Sequence, residues 1–172
     1  MRVLQLHLLV PLTLALVAPA SAQWTSSVSK DEMTGKRQGF AHSAHVRATR
    51  AMQFPYTDTE AWLGFGCDGE DEWAYIGFSN QPNLTNTDTH DGYNSFSTRV
   101  KWDDQVETTD FIQKWGDSFI HFREASKAID RLTTAGAVLL ELEWYGAGTV
   151  YFRFSLQASS DAIAKARAVC KK

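Results

Sequence analysis

Alternation of apolar and polar residues with a period of two runs through most of this chain, and it predicts strands. Over 138–144, Val138, Leu140, Leu142 and Trp144 share one side and Glu141 and Glu143 the other. Over 149–156, Val150, Phe152, Phe154 and Leu156 oppose Arg153 and Ser155. Gly146-Ala147-Gly148 joins these two runs, and its glycines permit the positive φ of a tight antiparallel hairpin. The same period sets Phe96, Val100 and Trp102 against Arg99 and Lys101, and it puts Leu63, Phe65 and Cys67 on one face. Residues 73–78, aromatic and β-branched, read as a further strand, and 40–47 read as a strand with Phe40, Ala44 and Val46 inward.

Helical spacing is rarer. Ala125, Ile129 and Leu132 recur at i, i+4 and i+7 ahead of Gly136, which predicts one short helix over 124–132. A second helix closes the chain, with Ser159 or Ser160 as N-cap, Asp161 in its first turn and Lys171-Lys172 at its end, in keeping with the helix dipole. The fold class predicted is mainly β, sandwich-like or α+β: an antiparallel sheet with one short helix and a C-terminal helix. Residues 80–94, rich in Asn, Thr, Asp and Gly, read as the longest loop, without a hydrophobic pattern.

The first 22 residues break the pattern. Arg2 precedes an almost wholly apolar run over 3–17, and Ala20-Ser21-Ala22 ends it. This is the form of a secretory signal peptide with an A-x-A cleavage site, leaving a single exported β-rich domain over 23–172. The apolar run falls short of the ~20 residues of a spanning helix, and no other long apolar run follows, so no stable membrane insertion is expected after cleavage. The full chain has 172 residues and a formal charge of −3; losing Arg2 takes 17 − 20 to 16 − 20, or −4. That mild acidity gives no basic field for nucleic acid, which is not expected as a partner.

Export changes the meaning of the cysteines, because thiols pair in an oxidising compartment. Cys67 shares a face with Leu63 and Phe65, and Cys170 shares a helical stripe with Ile163 and Ala166. Both sulfurs therefore point toward a core, and one Cys67–Cys170 bridge is expected.

Candidate chemistry is sparse. The run Asp68-Gly69-Glu70-Asp71-Glu72 joins two predicted strands, and its four carboxylates, Asp68, Glu70, Asp71 and Glu72, could face a basic partner. His42 and His45 would fall on opposite faces of a strand, which removes them as a metal pair. Around His90, the run 86–92 lacks the spacing of a calcium loop and reads as a solvated turn. Glu141 and Glu143 share a strand face and offer a weak acid–base pair for glycoside hydrolysis. No nucleophile elbow, zinc motif, phosphate loop or dinucleotide fingerprint occurs. Six Trp and ten Phe could line a ligand site, although many sit on the inward side of predicted strands. No catalytic residue, metal or cofactor is expected from these features.

The ends of the mature chain resemble a known family. Trp24-Thr25-Ser26-Ser27-Val28-Ser29-Lys30-Asp31-Glu32-Met33-Thr34-Gly35 is similar to the opening of the VasI/TagO family of type VI secretion-associated periplasmic proteins, in which a Trp leads a short strand into an Asp-x-Met-Thr turn. The likeness resumes at the strand ending in Cys67, where Gly66 stands in place of the family's Arg, and at Phe152-Arg153-Phe154-Ser155-Leu156 before the helix that closes at Cys170. The resemblance implies an exported, disulfide-closed, non-enzymatic accessory protein acting by contact with a protein or another component of the cell envelope. A periplasmic or secreted location follows. The rival expectations are a secreted hydrolase using Glu141 and an inhibitor or immunity protein using the acidic run against a basic enzyme.

Overall fold

A computed structural model describes residues 24–69 and 71–170; the segment 1–22 expected to be a signal peptide, Gln23, Glu70 and the Lys171-Lys172 expected at the end of the last helix lie outside them. In chain order the strands are β1 (Trp24–Lys30), β2 (Arg37–Ser43), β3 (Val46–Arg47), β4 (Glu60–Asp68), β5 (Asp71–Phe78), β6 (Asp88–His90), β7 (Tyr93–Trp102), β8 (Gln105–Lys114) and β9 (Phe119–Phe122). Helix α1 (Ala125–Thr134) follows, then β10 (Ala137–Trp144), β11 (Gly148–Ser155) and helix α2 (Ser159–Cys170). All strands belong to one antiparallel sheet in the order β1-β2-β4-β5-β9-β8-β7-β10-β11, with β3 on β4 and β6 on β7. The predicted class, mainly antiparallel sheet with a short helix and a C-terminal helix, is the one observed.

The sheet curls until its inner face packs on itself. Phe78 of β5 meets Trp144 of β10 at 5.7 Å and Phe152 of β11 at 5.6 Å, both edge to face. Leu63, Phe65, Ile76, Leu140 and Leu142 complete a core in which each is almost fully buried. Burying one such side chain stabilises the fold by about 1.5–3 kcal/mol, so this seam outweighs any single surface contact. At the open edges Trp24 Nε1 of β1 donates to the Ser155 carbonyl of β11 at 3.0 Å, but no ladder joins the two strands.

Free edges of a sheet invite pairing by other chains. That of β11 is covered by residues 47–50: Ala48 bridges Phe152, Thr49 N donates to Tyr151 O, and Arg50 Nη2 donates to the carbonyls of Ala147 and Thr149. The predicted hairpin of β10 and β11 is present, with both Gly146 (φ 75°) and Gly148 (φ 67°) in the left-handed region.

Cys67 and Cys170 form the expected disulfide, with Cα atoms 6.1 Å apart. It ties the end of α2 to β4 on the inner face. That docking also reverses one expectation. In β2 the inward residues are Gly39, Ala41 and Ser43, whereas Phe40 is turned outward, Ala44 is exposed beyond the strand and Val46 is only half-buried. The backbone of α2 comes so close at Ala166 that a Cβ on Gly39 would overlap the Ala166 carbonyl, so only the small-residue phase of β2 can face the helix.

Two smaller expectations are also corrected. Ser159 is the first residue of α2, and its hydroxyl is bonded to the carbonyls of Leu132 and Leu156 instead of capping the helix. Within 80–94, Leu84 is buried and bridges Trp144, while β6 pairs with β7. These contacts give that segment an apolar anchor and a strand.

Candidate functional site: an aromatic seam on the uncovered sheet face

A sheet face turned to water ordinarily carries polar residues. The outer face of β2, β4, β5 and β9 does not. Register sets Phe40 opposite Gly66, Gly66 opposite Trp73, Gly64 opposite Tyr75 and Trp62 opposite Gly77. Every aromatic ring along the β4–β5 seam therefore has a glycine as its cross-strand neighbour. Trp73 lies over Gly66, Tyr75 over Gly64 and Trp62 over Gly77, so closely that a Cβ on any of these glycines would overlap ring atoms. Without Cβ atoms beneath them the rings lie down on the sheet rather than standing off it.

Further rings extend the seam at both ends. Phe40 meets Trp73 at 6.2 Å, and Phe119 of β9 contacts both Tyr75 (5.5 Å) and Trp62 (6.1 Å) edge to face. His45 stacks on Trp62 at 4.6 Å with the planes 14° apart, and His121 lies 6.0 Å from Tyr75. Such pairs add about 0.5–1.5 kcal/mol each beyond area burial, which holds the rings in place. Phe40, Trp62, Trp73 and Tyr75 are half-buried, and Phe119 and His45 are exposed. Helix α2 packs on the opposite face, at Gly39, and α1 borders a small surface pocket with Glu107, Trp102 and Phe122.

Polar groups frame the rings. Thr25, Ser27 and Ser29 of β1 stand opposite His42, Phe40 and Gln38, which places three hydroxyls along one flank. Thr25 Oγ1 is 2.9 Å from His42 Nε2. At one end Glu60 pairs with His45 (3.3 Å) and Arg47 (3.6 Å). Partial burial pushes the Tyr75 phenol up and the His121 imidazole down, the latter opposed by the charge of Asp117. Both groups are neutral at pH 7, and the seam between its two ends carries no formal charge.

The acidic run reaches the other end of the seam, but its carboxylates are not one patch. Asp68 is bonded to Lys36 (2.9 Å) and Gln38 (3.3 Å), and the Lys36 ammonium is the first cause holding it below the usual carboxylate range. Glu72 faces the interior side, where it takes both guanidinium nitrogens of Arg167 at 2.5 and 2.8 Å, and that guanidinium sits 5.5 Å from the centre of the Phe65 ring. Asp71 is exposed at the turn. The run thus supplies one free carboxylate, Asp71, and two structural ion pairs among the described residues.

Glu141 is held by Arg99 through two bonds of 2.8 and 2.5 Å, and Glu143 accepts from Thr149 Oγ1 at 2.8 Å. The Arg99 guanidinium lowers the Glu141 carboxyl, the reverse of what a general acid requires. The run 86–92 is only in part the solvated turn expected of it: Asp88–His90 form β6, in which His90 pairs with Tyr93, and the exposed His90 side chain is 2.9 Å from Asp91. Among the described residues no group of three or more His, Cys, Asp or Glu is placed to hold a metal ion.

The seam is not legible residue by residue in the sequence, because each of its aromatics taken singly fits a core position equally well. A signal was there: in 62–67 both strand phases lack charge, Leu63, Phe65 and Cys67 on one and Trp62, Gly64 and Gly66 on the other. Comparison of the chain with family models, with curated proteins and with solved structures returned no match.

Proposed function

We propose that the protein is an exported, non-enzymatic binding protein of the cell envelope, of the secretion-linked accessory kind that the resemblance implies, and that it engages its partner through the aromatic seam. The observation that carries this reading is a set of rings held flat on an uncovered sheet face by three glycines. A contiguous patch of half-exposed rings costs solubility, and monomeric proteins retain such a patch chiefly where something binds. The signal-like N-terminus and the Cys67–Cys170 bridge support export. The salt-bridged state of Glu141 weighs against the hydrolase reading, and the internal pairing of Asp68 and Glu72 weighs against an inhibitor that acts through the acidic run.

The reading is tested by exposing solubilised and insoluble envelope fractions to the tagged full-length mature protein. The double variant Trp62→Ala/Trp73→Ala should lose at least 90% of the captured component, whereas Asp71→Asn should retain it. Equal capture by both variants, or none by the wild type, would overturn it.

A further inference from the structure

We infer that the aromatic seam is a platform for a neutral, extended glycan, a chain of β-linked pyranose rings; this inference rests on the reading that the seam is the binding face. Three rings lie in one line over the junction of β4 and β5: Trp73 above Gly66, Tyr75 above Gly64 and Trp62 above Gly77. Successive positions two residues apart on a strand are separated by about 6.7 Å, so the line covers roughly 13–14 Å. The line follows the β4–β5 ladder, with the slight twist common to paired strands. A pyranose ring has an apolar C–H face that settles on the negatively charged face of an aromatic ring, and equatorial hydroxyls that point sideways from it. A run of flat rings therefore accepts a ribbon-like chain, with sugars on Trp73, on Tyr75 and on the His45 imidazole that stacks over Trp62, and mismatches a chain that coils, as α-1,4-linked glucans do.

The surroundings fit the same ligand. On the β2 side of the line stand the Gln38 amide and the His42 imidazole, within reach of the sideways hydroxyls of a sugar, and the hydroxyls of Thr25, Ser27 and Ser29 lie one strand farther out. Charge argues against the other polymers of an envelope. The seam is neutral, Asp71 and the Lys36–Asp68 pair stand at one end, and Glu60 stands at the other, paired with His45 and Arg47. A polyanion such as a teichoic chain or an acidic lipid surface would meet Asp71 and no unpaired cation on the seam. A protein partner would bring apolar side chains that need pockets to fill, whereas glycines and recumbent rings make this surface flat.

The test is titration of the mature full-length protein with β-linked hexasaccharides of glucose and of N-acetylglucosamine, with the matching disaccharides, and with maltohexaose. Tryptophan fluorescence and calorimetry are the readouts. At least one β-linked hexasaccharide should bind saturably, at least tenfold more tightly than its disaccharide and more tightly than maltohexaose. Trp62→Ala and Trp73→Ala should each weaken binding tenfold or more, and Phe119→Ala, at the edge of the seam, by a smaller factor. Trp115→Ala, which removes an exposed ring elsewhere, should leave binding unchanged. Circular dichroism confirms that each variant is folded, and the wild-type length and linkage dependence stands as a measurement that no variant can compromise. Absence of binding to both hexasaccharides, or binding that the seam variants leave untouched, overturns the inference. If the envelope capture experiment then yields a protein lost with Trp62→Ala/Trp73→Ala, the binding-face reading stands while the glycan reading falls; if capture also fails, both fall.

Discussion

A methyl group added at Gly39 and one added at Gly64 meet different kinds of neighbour. At Gly39 the obstacle is the Ala166 carbonyl in the backbone of α2, which can give way only if the whole helix lifts. At Gly64 it is the Tyr75 ring, which can swing away from the sheet. Overpacking costs typically 1–3 kcal/mol. Gly39→Ala is expected at or above the upper end, about 3 kcal/mol, and Gly64→Ala near the lower end, about 1 kcal/mol, in urea unfolding. Gly64→Ala should also blunt any ligand signal, because the displaced ring leaves the seam. Comparable losses for the two would show that α2 is not seated as closely as Gly39 requires.

His121 makes a second residue-scale prediction. Its folded pKa is depressed below the ordinary value of 6.5, first by burial, with the charge of Asp117 opposing. The folded state therefore binds fewer protons than the unfolded chain below about pH 6.5. The stabilising contribution is complete above that pH and is lost as pH falls through the folded value. Between pH 7.5 and 5 the wild type should lose more of its urea midpoint than His121→Gln does. An equal loss in both proteins would mean that His121 is as well solvated as in the unfolded chain.

Among elements, the strongest constraint is the attachment of α2. The helix carries the Cys170 end of a bridge spanning 103 residues and places Arg167 on Glu72. Closing so long a loop removes entropy from the unfolded chain worth about 4–5 kcal/mol in the chain-entropy model. Reduction, or Cys67→Ala/Cys170→Ala, should therefore lower the midpoint of thermal unfolding by roughly 10 °C or more, with α2 the first element to lose amide protection in hydrogen exchange. A shift under about 2 °C would mean that the Cys67–Cys170 bridge is not what anchors the helix. Elements also differ in how openly their faces were written. In β7, β10 and β11 the outward positions carry Arg99, Glu141 and Arg153, so polarity alone told inside from outside. In β2 both phases are uncharged beyond Arg37, one small and one aromatic, and the choice fell to whichever phase lets α2 approach.

At the scale of the whole molecule, one curled sheet divides its surfaces into two kinds. The inner face is filled by its own opposite wall and the two helices, and the free backbone of β11 is covered by residues 47–50. The outer face over β2, β4, β5 and β9 receives no such cover from the helices, and the seam is what it presents. Alternation along the chain was enough to place most strands, the β10–β11 hairpin, both helices and the inward direction of both cysteines. Such features depend on neighbours within a few residues, where burial leaves a periodic mark. The functional face was not legible in that way. Trp62, Trp73, Tyr75 and Phe119 lie on three strands, and their pairing with Gly77, Gly66 and Gly64 depends on cross-strand register. Register also decides that Glu72 is spent on Arg167 and Glu141 on Arg99. A residue's own sequence neighbours say whether it is apolar, but only the assembled sheet says which glycine lies beneath a ring and whether anything lies above it.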